Sequence, residues 1–404
     1  MPGAEAAADA ATLDITAVQA ALKADGVDGW LLYDFRGINP IAADVTAIAR
    51  QAGHLATRRW FYLIPASGQP RGLVHKIEKN SLAHLPGTTD RYASRVDLES
   101  GLKTLLTGMR RVAMEYSPGC SIPYVSRIDA GTMELVRQSG VDVVSSGDLI
   151  QRFAATWSAS ATDSHRRASE RLYRVKDRAF AAIAKRTRDG VPTTEYDIQQ
   201  LMAQWFVEEG LISDPAMNVS AAENAGNPHY LPTASSHRAI RRGDLVLLDL
   251  WGKVDVPGAV FADITWMGFA GPTVPERYAK AFAVIAAARD AAIELVQRAC
   301  RSGQELRGWQ VDKAAASIIR SAGYGDHIWH RTGHSLGESI HGNGANMDDY
   351  ETHDDRRLLP GTGFTIEPGV YFDDFGVRTE INMVVESRDA TVTGPVQTAI
   401  LALV

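Results

Sequence analysis

Four carboxylates in this chain stand where apolar strands would not ordinarily carry one. Asp249 follows the run Leu245-Val246-Leu247-Leu248, and Asp263 lies inside Val260-Phe261-Ala262-Asp263-Ile264-Thr265-Trp266. Burying an isolated carboxylate is costly, so such a group needs a partner or a metal. The loop between the two segments holds Gly252, Pro257 and Gly258, and hairpin pairing would bring Asp249 and Asp263 together. Either aspartate taken alone reads as well as a turn residue or a cap. Glu367 and Glu380 lie in the segments Phe364–Phe372 and Val377–Val384, which read as a hairpin around Asp373-Asp374-Phe375-Gly376. A period of two puts Arg378, Glu380 and Asn382 on one face, with Glu367 about one diagonal away on the opposite strand. A solvated polar stripe is the alternative for this hairpin alone.

His330, His334 and His341 fall within twelve residues, beside Gly333 and Gly337. The zincin pattern H-E-x-x-H is excluded, because Arg331 stands where its glutamate belongs. Asp249, Asp263, Glu367 and Glu380, with one of these histidines, are candidate metal ligands. An oxygen-rich set with one imidazole suits Mn(II), Co(II) or Zn(II). Two carboxylates free to bridge favour a pair of divalent metal ions per chain, about 3.5–4 Å apart.

Elements that position these residues can be read around them. Residues 1–160 read as a small α/β domain and residues 161–404 as the catalytic one. The first has a helix over 13–25, a strand at Trp30–Tyr33, and a hairpin of Trp60–Ile64 with Gly72–His75. Strands at Val112–Tyr116 and Val141–Val144 follow, with a helix near 124–139 between them. The second opens with helices over about 165–188, closed by Gly190, and from Thr194 to about 209. A capping box of Thr273 and Glu276 predicts a helix ending at Gly303, and a shorter helix is expected near 309–321. The C-terminal end reads as strands at 363–372, 377–386 and 395–403.

The bulk numbers bound the reading. The chain has 404 residues, 45% of them apolar, enough for two cores. A net charge of -6 and no basic run argue against nucleic acid as a partner. No apolar run approaches the ~18 residues a membrane span needs. Residues 1–12 read as a frayed tail without the features of a signal peptide, and a reducing cytoplasm is the simplest compartment. Two cysteines, Cys120 and Cys300, exclude a disulfide scaffold or cysteine-based zinc site and read as buried or inert thiols.

In order along the chain, these segments resemble the pita-bread metallopeptidases: prolidase (Xaa-Pro dipeptidase), aminopeptidase P and methionine aminopeptidase. Leu245–Asp249 resembles the strand ending in the first metal aspartate, and Asp263-Ile264-Thr265 the D-x-T of the second. Gly333-His334-x-x-Gly337 resembles the G-H-x-x-G of the metal histidine. Thr365-Ile366-Glu367-Pro368-Gly369 and Gly376–Glu380 resemble the T-x-E-P-G and G-x-R-x-E of the glutamates. Asn224–Tyr230, with Pro228-His229-Tyr230, is similar to a stretch holding a substrate-contacting histidine. His341 falls where the family has a second active-site histidine. Trp251, Val260 and Trp266 depart from the family's usual glycine, tyrosine and arginine, which bears on the substrate pocket.

The resemblance implies an α/β N-terminal creatinase-like domain plus an α+β pita-bread catalytic domain. It implies hydrolysis of Xaa-Pro bonds in short peptides, most simply dipeptides, through a metal-bridging hydroxide. Catalytic roles would fall to Glu367, His341 and His229. Substrate contacts would come from His229, His341, His330 and Arg378, with Arg378 also read as a charge holding the carboxylates. Arg356 or Arg357 is a candidate for the substrate's terminal carboxylate, against a solvated charge. A homodimer is implied, its N-terminal domains covering the partner's cleft. An aminopeptidase P acting on longer Xaa-Pro-Yaa peptides and a catalytically silent binding protein are the alternatives.

Overall fold

The computed structural model describes residues 13–48, 57–214 and 217–404, so the tail expected at residues 1–12 lies outside the described residues. The chain divides into two compact units at Ala154 and Ala155. In the first, helices Ile15–Ala24 (α1), Pro40–Val45 (α2), Arg95–Leu105 (α3), Ala130–Gln138 (α4) and Gly147–Ala154 (α5) surround a six-stranded sheet. Its strands are Gly29–Asp34 (β1), Trp60–Pro65 (β2), Arg71–His75 (β3), Thr88–Tyr92 (β4), Arg111–Met114 (β5) and Asp142–Ser145 (β6), in the order β4-β3-β2-β1-β5-β6. The expected hairpin forms, with Phe61 opposite Leu73.

Every residue of β1 and β2 is buried, because both faces of the sheet are covered. Trp30, Leu32, Trp60, Tyr62 and Ile64 pack with α1, α2 and α5, while Leu31, Tyr33, Phe61 and Leu63 pack with α3 and α4. The helix expected near 124–139 is shorter, because Asp129 caps it by accepting from Thr132 N. Cys120 is exposed, in a 3-10 turn, which corrects the expectation of a buried thiol; Cys300 is half-buried.

Glu115 is fully buried here and accepts from Trp30 Nε1 (2.7 Å), Asn39 Nδ2 (2.7 Å) and Ser146 Oγ (3.0 Å). Burial lifts its pKa even against those donors. A folded-state pKa above the unfolded one gives stability that is full below about pH 4 and is lost as pH rises through the folded value. Glu115→Gln should flatten that fall. Urea unfolding followed through tryptophan fluorescence from about pH 4 to 8 checks this, and an unchanged slope would count against it.

The second unit is built on a long hairpin. Helices Ala159–Asp189 (α6) and Glu195–Glu208 (α7) lead to strands Leu211–Ile212 (β7), Asn218–Ala221 (β8), Leu245–Val254 (β9) and Ala262–Phe269 (β10). Helix α6 begins earlier than expected, capped by Ser158, and ends as expected at Gly190, which is left-handed with φ 67°. Strand β9 runs on through Gly252, so that glycine belongs to the ladder and not to the loop. Helices Glu276–Ser302 (α8) and Gly308–Ser321 (α9) follow. The expected Thr273/Glu276 capping box does not form: Pro275 holds the N-cap position of α8 with no side-chain cap bond.

Alternation along β9 and β10 separates two environments. Leu248, Leu250, Ile264 and Trp266 pack with Leu172, Val175 and Ala179 of α6. On the other face, Leu245, Leu247, Met267 and Phe269 pack beneath Phe282 and Ile285 of α8. Further along that same second face come Asp249, Trp251, Asp263 and Thr265, with Asp249 opposite Thr265 and Trp251 opposite Asp263. Trp266 therefore faces away from the carboxylates, under the ammonium of Lys176 (3.8 Å from the ring centroid), and does not shape a pocket beside them.

The expected C-terminal hairpin is broken into two ladders. Strands Gly363–Ile366 (β11) and Ile381–Val385 (β14) form one, and Gly369–Tyr371 (β12) and Gly376–Arg378 (β13) the other. Pro368 has no N–H to continue the ladder. At the break the backbone turns elsewhere: Glu367 N donates to Thr332 O (2.7 Å) and Glu380 N to Thr265 O (3.1 Å). Strands Ala390–Val392 (β15) and Leu401–Ala402 (β16) finish the chain, the latter much shorter than the 395–403 expected. Among the described residues no helix is long and apolar enough to cross a membrane.

Candidate metal centre

The break in the C-terminal ladder aims both glutamates at the β9–β10 hairpin. Glu380 Oε2 accepts from Thr265 Oγ1 at 2.7 Å. Asn382, two residues on, fixes Asp263 from behind: its Oδ1 accepts from Asp263 N (3.0 Å) and its Nδ2 donates to Asp263 O. Arg378, Glu380 and Asn382 thus share a face across the strand break, as the period-two reading expected.

His334 enters from a loop pressed against β11. Gly333 is required there, since a Cβ would lie 2.0 Å from Thr365 O. His334 N donates to Thr365 Oγ1 (2.9 Å), and that hydroxyl donates to Glu367 Oε1 (3.0 Å). The loop is pinned from α9, where buried Asp312 accepts from Thr332 N (2.9 Å) and Thr332 Oγ1 (2.5 Å). His334 Nδ1 lies 3.1 Å from Ser335 O, which can only accept, so Nδ1 carries the proton and Nε2 is free to bind a cation. Nε2 is 3.5 Å from Asp263 Oδ2 and 3.6 Å from Glu367 Oε1.

Asp263, His334 and Glu380 offer ligand atoms that all lie within 4.8 Å of one another. Asp263 Oδ1 and Glu380 Oε1 are buried with no hydrogen-bond partner among the described residues. Burial, and then the charges of neighbouring carboxylates, hold both groups well above the ordinary carboxyl pKa. Burial also raises Asp249, against the pull of Arg378. Burial pushes Glu367 up as well, but His334, His330, Arg378 and Arg331 outweigh it and keep this carboxylate ionised. Orphaned anionic oxygens beside a free imidazole nitrogen fit a divalent cation.

Asp249 stands apart from that cluster, because its Oδ2 pairs with Arg378 Nη2. Arg378 also donates to Thr265 Oγ1 (3.0 Å) and to the hydroxyl of Tyr371 (3.2 Å). With these bonds and 4% exposure, its guanidinium is tied into the carboxylate cluster, in line with its reading as a charge holding the carboxylates. His330 is half-buried; its Nδ1 lies 2.6 Å from Arg331 O and its Nε2 2.7 Å from the Tyr371 hydroxyl, so both nitrogens are engaged.

The ring of His341 packs against that of His334, 4.5 Å between centroids in an edge-on arrangement. Desolvation and the adjacent His334 lower its pKa to about 4. His229 is exposed in a turn where its backbone N donates to Asn227 Oδ1 (3.0 Å). Arg356 is unavailable to a substrate: it is buried, forked onto Asp354 at 2.9 and 2.6 Å, and donates to Asn343 O. Arg357 lies 3.9 Å from Glu305. Trp251 packs against Val260 and Leu336 in one small apolar cluster, so two of the family departures meet beside Asp263. Thr265, Tyr371, Thr365 and Asp312 were not singled out from the sequence, and only Thr265 and Thr365, inside the quoted motifs, left a signal there.

Residues 165–387 match the sequence profile of Metallopeptidase family M24. The "Probable dipeptidase PepE" of Mycobacterium tuberculosis (strain ATCC 25618 / H37Rv) is 28% identical over 339 residues, covering 82% of each chain. The "Xaa-Pro dipeptidase" of Lactobacillus helveticus is 32% identical over 207 residues, 50% of this chain and 51% of that one. Among solved structures, dipeptidase PepE from Mycobacterium ulcerans superposes with a TM-score of 0.68 at 22% identity, over 96% of both chains. Prolidase from Thermococcus sibiricus gives 0.59 at 19% identity, over 96% of this chain and 98% of that one. At these identities the structural likeness speaks for the fold.

Proposed function

The chain belongs to metallopeptidase family M24, and on that premise we propose that it hydrolyses dipeptides of the form Xaa-Pro with two divalent ions held by Asp249, Asp263, His334, Glu367 and Glu380. The observation that carries the reading is the pair of buried, unpartnered oxygens on Asp263 and Glu380 beside His334 Nε2. Bound ions at such a site acidify a water and polarise a carbonyl. The same charge would draw Asp249 toward the cluster in competition with Arg378.

The remaining work falls to the chain's own side chains. Glu367, whose pKa stays low despite its burial, with Arg378 and Arg331 nearby, accepts the proton of the attacking water. His341, neutral near pH 7 because its pKa is low, donates an N–H to the developing oxyanion. His229 contacts the substrate beside the scissile bond. An imide bond to proline has no N–H, and none of these groups asks the substrate for that proton. Relatives whose names read dipeptidase and Xaa-Pro dipeptidase support this substrate class. The assembly expected is a homodimer, readable by light scattering.

Purified protein should hold close to two transition-metal ions per chain. Chelation should abolish hydrolysis of Xaa-Pro dipeptides, and Mn(II), Co(II) or Zn(II) should restore it. Rates on Xaa-Pro against Xaa-Pro-Yaa decide the substrate length, faster cleavage of the tripeptide reassigning the enzyme to the aminopeptidase P activity. Metal-replete protein that cleaves neither sinks the proposal.

A further inference from the structure

The imidazole of His229 is held by no hydrogen bond of its own among the described residues, and it is exposed. Whatever fixes it must act through the backbone on either side. Both flanks lead to one buried group. Glu195, the first residue of α7, is 0% exposed, and its carboxylate gathers the segment that carries His229. Oε1 accepts from Ala221 N (2.7 Å) and Asn224 Nδ2 (3.0 Å). Oε2 accepts from Asn224 Nδ2 (3.0 Å), the Tyr230 hydroxyl (2.6 Å) and Arg238 N (2.8 Å). Its own backbone N–H donates to Arg238 O (3.0 Å), closing the far end of the same segment.

Donors therefore arrive from residues 221, 224, 230 and 238, two before His229 and two after. Tyr230 is its immediate neighbour, and Asn227, whose side chain accepts from His229 N, is tied back to Asn224 by its own N–H (3.2 Å). A carboxylate suits this hub because it is all acceptor, with about four lone-pair sites. A glutamine has one acceptor oxygen and would turn an amide N–H at donors already in place.

We propose that Glu195 is a positioning residue for substrate recognition, holding the His229 turn at the place where its imidazole meets the peptide. The inference rests on the reading that His229 contacts the substrate. It assigns Glu195 no contact with substrate or metal.

The test compares wild type with Glu195→Gln, Tyr230→Phe, His229→Ala and the double variant Glu195→Gln/His229→Ala, all metal-loaded, on an Xaa-Pro dipeptide. Glu195→Gln should keep full metal content and lose about 10- to 100-fold in kcat/KM, as displacement of a binding group by about 1 Å does. Tyr230→Phe, which removes one donor and leaves the packing, should shift the same way by less. The double variant should be no slower than His229→Ala, since both changes act through one imidazole. In histidine-labelled metal-free protein, the ring signal of His229 should move or broaden in Glu195→Gln. Wild-type kinetics for both Glu195→Gln and Tyr230→Phe, or a double variant slowed by the full product of the single losses, overturns the proposal. An unimpaired His229→Ala overturns the substrate role beneath it, whereas an impaired His229→Ala beside an unimpaired Glu195→Gln overturns this inference alone.

Discussion

Asp263→Asn should abolish metal binding and, in the same protein, raise the stability of the metal-free fold. Asp263 Oδ1 and Glu380 Oε1 are both buried acceptors without donors among the described residues. An unsatisfied buried polar atom costs about 1–3 kcal/mol. Asparagine keeps the volume, removes one negative charge and supplies an N–H toward that cluster. The gain should depend on pH. Asp263 has a folded pKa raised by burial, then by Asp249 and Glu367. A raised folded pKa gives stability that is present below about pH 4 and is lost as pH rises through the folded value. The variant escapes that loss, so its advantage should be larger at pH 8 than at pH 5, reaching about 1–3 kcal/mol. Activity should fall by more than the ~10²-fold that losing a group outside the ligand shell can cost. Melting of chelator-treated proteins at both pH values, with elemental analysis of untreated ones, reads all three effects. A metal-free variant that melts below wild type at pH 8, or one that still takes up metal, would refute the account. The expected pattern is a site that gives up stability for function.

What the sequence made legible follows from which forces leave a local mark. A hairpin is local, so the meeting of Asp249 and Asp263 could be read from the Pro257-Gly258 turn between their strands, whereas Trp266, expected at the pocket, fills the opposite face. Helices α6 and α7 were legible from Gly190, free to turn left-handed, and Thr194, whose hydroxyl caps a helix start, because each fixes an end without tertiary help. The break between Glu367 and Glu380 was not, although Pro368 marks it in hindsight. Whether a proline ends a ladder or sits at its edge depends on what the freed backbone bonds to, and here that is Thr332 and Thr265. Partners distant in sequence left no mark at all. Arg356 reads in sequence as well as a solvated charge, but Asp354 forks it, and nothing local to His330 announces the Tyr371 hydroxyl on its ring. Glu195 carried no signal in the sequence, because its donors lie 26 to 43 positions away.

Arg378→Met should destabilise the metal-free protein strongly, in the direction opposite to Asp263→Asn. Arg378 is buried, and its guanidinium bonds Asp249, Thr265 and Tyr371 together within the carboxylate cluster. Removing one partner of a buried ion pair leaves an uncompensated charge and costs about 3–5 kcal/mol. Lysine should not rescue it. An ammonium offers its donors from one point, whereas these three acceptors are met by three different nitrogens of a planar fork. Metal gives the distinguishing readout. If the carboxylates gather to bind a cation, added Mn(II) supplies the charge that Arg378→Met has lost, and the variant's melting temperature should climb further with metal than wild type's does. The melting temperature of Asp263→Asn should not respond to metal at all, since the ligand itself is gone. Equal metal-induced shifts in Arg378→Met and wild type would mean that the guanidinium and the ions do not compete for the same carboxylates. The pairing of Asp249 with Arg378 would then be a fixed part of the scaffold, and Asp249 would leave the set of proposed ligands.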